Sequence, residues 1–157
     1  MNVRVLLKLT LNCQPDAAWR AIRSPEVFRA VSWPFTTFES LEENGFPAVW
    51  TEGEHPVAGK AFGLVPVGTQ IIDLSFDESR PGVRAVIDAG RGVSGGLAFV
   101  TGWHHTMAVS ALDDGKTLFR DRLKFEAGAS TFLLWPAFWA FWQWRALRIA
   151  RLAREWR

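Results

Sequence analysis

From Ala127 to Trp144 the chain carries no charged residue, and Arg145, Arg148, Arg151, Arg154 and Arg157 follow at once. A segment that apolar has to pack into a core, wall a cavity or lie against a membrane, and each choice constrains the rest of the fold. Its tryptophans sharpen the constraint. The chain has nine and no tyrosine, and Trp135, Trp139, Trp142, Trp144 and Trp156 all lie beyond residue 134. Each brings a large apolar surface and one N–H that needs a partner when buried.

The uncharged stretch sits at the lower edge of membrane-spanning length, and Gly128, Ser130, Thr131, Pro136 and Gln143 dilute it. As a tail anchor it would carry five arginines across the bilayer, against the positive-inside tendency. A spanning helix is therefore not expected. Charges also break the apolar run of Met1–Lys8, so it does not read as a signal peptide. The lone Cys13 allows no internal disulfide and offers no metal-ligand spacing, which agrees with a reducing, cytoplasmic setting. No cofactor is expected.

With 157 residues, 48% hydrophobic and 22% charged, the chain is expected to form a single domain over 1–157 with a substantial core. The formal charge of +2 is unevenly spread: the five terminal arginines against Glu155 give the tail +4 and leave about −2 elsewhere. A basic end is not the broad basic face of a nucleic-acid binder, so none is expected.

Val3, Val5, Leu7, Leu9 and Leu11 alternate with polar residues, the pattern of a half-buried strand. Pro15-Asp16 and Ser24-Pro25-Glu26 then open two short helices, and Trp33-Pro34 ends the second. Strands are predicted near Phe35–Glu42, Lys60–Leu64, Thr69–Asp77, Val83–Ala89, Gly102–Leu112 and Thr117–Ala127. Asp113-Asp114-Gly115-Lys116 marks the clearest hairpin. Its strands face Trp103, His105, Met107, Val109 and Ala111 to one side, and Thr117, Phe119, Asp121, Leu123 and Phe125 likewise. A long helix capped by Ser130 or Thr131 runs to the end of the chain, with Pro136 in its first turns.

Strand, two short helices, an antiparallel run and one long final helix make an α+β order. Carried by Pro15–Glu26, Thr117–Phe125 and Phe138–Arg145, it resembles the START-related helix-grip superfamily (SRPBCC), which includes polyketide cyclase-like and lipid-transport-like proteins. The resemblance implies a curved antiparallel sheet wrapped around the C-terminal helix, with a ligand cavity between them.

His105 and Asp121 should both point inward from neighbouring strands. A carboxylate beside an imidazole orients it and suits it to proton transfer; equally, Asp121 can serve only as a buried structural acceptor. His104 must face the other way. With His55 and Cys13 remote, no metal site is expected. Gly90–Gly96 leads toward a strand rather than a helix N-terminus, so it reads as a strand connection or bulge and not a phosphate cradle.

At 100° per residue, Trp135, Trp139, Trp142, Ile149, Ala153 and Trp156 share one side of the last helix. Together with Trp103, His105, Met107, Phe119 and Asp121, the residues Trp135, Trp139 and Trp142 are the expected ligand contacts. Leu133, Ala137, Ala140, Phe141 and Trp144 form an outer apolar patch. It would be covered by the loop 43–59 with Phe46, Trp50 and Pro56, by a second subunit through Leu133, Ala137, Phe141 and Trp144, or by a membrane surface.

These readings converge on binding, and transport is included, of a small hydrophobic ligand or lipid. A cyclase or aromatase acting through His105 and Asp121 is the enzyme alternative. A protein-interaction module using the outer patch is the third.

Overall fold

The computed structural model describes residues 2–157. Strand β1 (Val3–Leu11) leads into α1 (Pro15–Ile22) and α2 (Pro25–Ser32). Proline opens both helices, where its missing N–H costs least. Ser24 caps α2 by accepting from the Val27 N–H. Next come β2 (Thr36–Ser40), β3 (Gly53–Ala61), β4 (Val65–Asp77), β5 (Val83–Asp88), the two-residue β6 (Arg91–Gly92), β7 (Gly102–Ala111) and β8 (Thr117–Glu126). Helix α3 (Thr131–Leu152) and a short 3-10 turn (Ala153–Glu155) close the order.

Every strand pairing is antiparallel, in the order β1-β8-β7-β5-β4-β3-β2, with β6 added beside β4. The sheet is open, so β1 and β2 are its edges. The predicted hairpin forms as β7 and β8, and its inward row holds: His105, Val109, Thr117, Phe119, Asp121, Leu123 and Phe125 are all buried.

The third strand departs from expectation. It runs Gly53–Ala61, not Lys60–Leu64, and residues 62–64 form the turn into β4, with Phe62 at a positive φ of 52°. Gly53-Glu-His-Pro-Val-Ala-Gly-Lys-Ala61 holds few large apolar residues, so it lacks the alternation that marks a strand. Pro56 is tolerated because only its carbonyl is needed, by the Leu41 N–H. The expected loop cover over α3 gives way to other packing: Phe46 and Trp50 stand edge to face, and Trp50 also packs against Phe28 of α2 and His55.

Two groups of buried side chains hold the layers together. One joins Leu11, Phe119, Val109 and Val86 of the sheet to Trp19, Ile22 and Val31 of the short helices, to Ile149 of α3 and to Ala153 of the final turn. The other joins Val5, Leu123 and Phe125 to Val100 and Trp142. Where they meet, the interior is hollow. No helix among the described residues is long and apolar enough to cross a membrane.

Candidate ligand cavity

The hollow has a volume of about 450 Å³. Its walls come from α1 and α2 (Ile22, Val27, Phe28, Val31), from the sheet (Ile72, Leu74, Val86, Met107) and from α3 (Leu134, Phe138, Phe141, Ile149). Aromatic and aliphatic side chains dominate, the lining of pockets that take apolar guests. A few polar side chains interrupt them, chiefly Asp88, His105 and Arg145.

His105 is placed by the hairpin register. Met107 stands opposite Asp121, so His105 reaches it diagonally, and its Nε2 lies 2.7 Å from Asp121 Oδ1. The same oxygen accepts from the Trp142 indole N–H at 2.9 Å. Arg145, one turn further along α3, brings Nη2 to 3.7 Å from Asp121 Oδ2 and within 3.8 Å of Met107 Sδ. Trp142 is thus the hub: its ring stands edge-on to His105 at 5.2 Å, with the Arg145 guanidinium 5.0 Å from its ring centre.

Burying a carboxylate and a guanidinium costs free energy unless each is paired. Asp121 is 1% exposed and Arg145 4%. Burial alone would push the Asp121 carboxyl up; His105, Arg145 and the Trp142 N–H outweigh it and hold it below the ordinary carboxylate range. Burial pulls Arg145 down, with Asp121 opposing. The network is not saturated: among the described residues, Asp121 Oδ2 and Arg145 Nε have no hydrogen-bond partner.

Asp88 is a second buried carboxylate on the same wall. Its Oδ1 accepts from the backbone N–H groups of Asp73 and Gly90, and its Oδ2 from Trp103 Nε1. Burial raises its pKa, opposed by His105 and those three donors. Asp88 therefore anchors the glycine-rich connection. That connection forms β6 and a 3-10 turn (Gly95–Phe99), and Gly92, Leu97 and Val100 of the segment line the cavity. Glycine is needed at 90, where a Cβ would collide with the Ile71 carbonyl.

No family model matches the chain, and no curated protein matches it by sequence. Solved structures do match. A hypothetical protein from Helicobacter pylori superposes with a TM-score of 0.68 at 11% identity, over 98% of this chain and 88% of that one. Norcoclaurine synthase from Thalictrum flavum gives 0.66 at 12%, over 100% and 96%. An aromatase/cyclase from Streptomyces sp. R1128 gives 0.60 at 16%, over 99% and 93%. With the open antiparallel sheet and the long final helix, these settle the architecture.

The chain has the helix-grip fold.

Within this helix grip, the expected site residues divide. Trp103, His105, Met107 and Trp142 line the cavity. Asp121 lies behind His105 as its partner, and Phe119 is fully buried in the core. Trp135 and Trp139 do not face the cavity; they are 39% and 47% exposed. The inward face is rotated instead toward Leu134, Phe138, Phe141 and Arg145.

The expected outer patch divides as well. Ala137 and Phe141 line the cavity, Leu133 is exposed, and Trp144 packs edge-on to Phe35 and donates to the Trp33 carbonyl. His55 is buried in β3, held by Glu42 and the Thr51 carbonyl.

Sequence reasoning missed Arg145 and Asp88. Arg145 reads as the first of a basic tail, yet it follows Trp142 by one turn on a helix face already assigned inward. That spacing was the available signal.

Proposed function

We propose that this protein binds a small, largely apolar molecule in the cavity beneath α3, with Arg145, His105 and Trp103 at the polar end. The observation that carries this reading is the cavity itself: about 450 Å³ of space walled by apolar side chains, with a buried charged group to one side. Proteins ordinarily fill their interiors closely, so a hollow of this size is a feature to be used. A structural neighbour supports the size class: norcoclaurine synthase, of similar fold, has been solved with dopamine and hydroxybenzaldehyde.

Native mass spectrometry of the purified protein, followed by a thermal-shift screen of aromatic and acyl compounds, tests it. Retention of a guest, or a rise in Tm with apolar compounds, is expected. No guest and no response across the set would overturn the reading.

One observation favours a second reading, proton transfer on a bound cyclase-type substrate. His105 faces the lumen and is oriented through Nε2 by a buried carboxylate, as a general base requires. Turnover of a poly-keto thioester that vanishes in His105→Gln, with binding retained, would support it.

A further inference from the structure

The lumen offers its guest an incomplete arginine. Arg145 comes from α3 into a space otherwise lined by Met107, Phe138, Phe141 and Trp142. Its Nη2 is the only guanidinium nitrogen with partners, and both are long: Met107 Sδ at 3.8 Å and Asp121 Oδ2 at 3.7 Å. Nε has none, and no hydrogen bond engages Nη1 among the described residues. A guanidinium carries five N–H donors in one plane and accepts nothing. Leaving most of them unmet at 4% exposure is costly, and a bound acceptor would remove that cost.

The other charged groups on the wall do not compete for that role. Asp88 has both oxygens occupied by N–H donors, and Arg91 is engaged by Glu54 at 2.8 Å. Asp121 is screened from the lumen by His105 and Trp142, which hold its Oδ1. Apart from the remaining ring nitrogen of His105, the free polar capacity at this end of the cavity is therefore that of a donor and a cation.

We infer that the guest is an amphiphile with a carboxylate at one end, held by Arg145 while its apolar body lies among Phe138, Phe141, Ile72 and Val86. A planar carboxylate matches the guanidinium fork, and charge-assisted bonds of this kind are the strong ones. Asp121 is then a positioning residue. It keeps the guanidinium charged and fixed without touching the guest. This inference rests on the proposed binding function and adds the chemistry of the head group.

The test uses the full chain and three fluorescent probes sharing an anthracene body: the carboxylate, the neutral alcohol and the amine. The carboxylate should bind about tenfold tighter than the alcohol, and the amine weakest. In Arg145→Met/Asp121→Asn, which removes both charges, the carboxylate should lose its advantage over the alcohol and the two should bind alike. Arg145→Lys should keep a reduced carboxylate preference, which separates charge from fold. Equal binding of the three probes to the native chain would overturn the carboxylate assignment and leave the cavity's binding role standing. Failure of all three to bind would overturn both.

Discussion

Trp142 Nε1 and His105 Nε2 meet on one atom, Asp121 Oδ1, at 2.9 and 2.7 Å. A helix residue and a strand residue thus share a single buried acceptor, so α3 is tied to the sheet by chemistry as well as by packing. The tie also turns His105 and Arg145 to the wall of the cavity.

Removing the shared acceptor should be severe. Asp121→Ala leaves Arg145 buried without its counter-charge and should cost about 3–5 kcal/mol in denaturant unfolding. Combining Asp121→Asn with Arg145→Met should cost less than the two single changes added together. A strictly additive pair would mean that the two residues are not coupled.

Trp142→Phe keeps an aromatic side chain but deletes the indole donor and part of the buried ring surface. The loss should be at least about 1.5–3 kcal/mol, since the acceptor is charged and buried and the smaller ring leaves a void. A stability equal to that of the native chain would show that the indole N–H does not support Asp121.

The two buried carboxylates should titrate stability in opposite senses. Asp121 is lowered in the fold, so its contribution is present above the unfolded value of about 3.9 and is lost as pH falls through its lower folded value. Asp88 is raised, so its contribution is full below about 3.9 and is lost as pH rises through its higher folded value. Urea midpoints against pH should therefore show less acid sensitivity in Asp121→Asn. In Asp88→Asn, the decline in stability as pH rises above about 4 should be reduced. Unchanged profiles in both variants would contradict the assignment.

Gly90→Ala should destabilise by about 1–3 kcal/mol, because the new methyl meets the Ile71 carbonyl and disturbs the Asp88 anchor. If ligand binding also weakens, the glycine-rich connection forms part of the working cavity wall.

Much of this was legible in the residues. Alternation fixed the facing of β7 and β8, because one row of each is apolar apart from His105, Thr117 and Asp121. The proline-led helices declared themselves by their start residues. What failed was the end of long-range reasoning: a helix wheel says which residues share a side, not which side the sheet covers. Trp135 and Trp139 share a side with Trp142, but of the three Trp142 alone is buried, against Val5, Leu123 and Phe125 of the sheet. Arg145 hid among four other arginines spaced three apart, and β3 hid in a run of small and polar residues. Neither feature has a local signature, since tertiary packing decides both.

The most direct test of the central claim is a ligand-binding comparison between the native chain and Ala137→Trp. Ala137 lines the cavity while remaining exposed, which places it at the mouth, on the helix and away from the buried charges. Isothermal titration with the best apolar compound from the screen should show one site in the native chain and at least about tenfold weaker binding in the variant, with Tm unchanged within error. Equal affinity in the two proteins would mean that the guest does not enter beneath α3, and the account would fail.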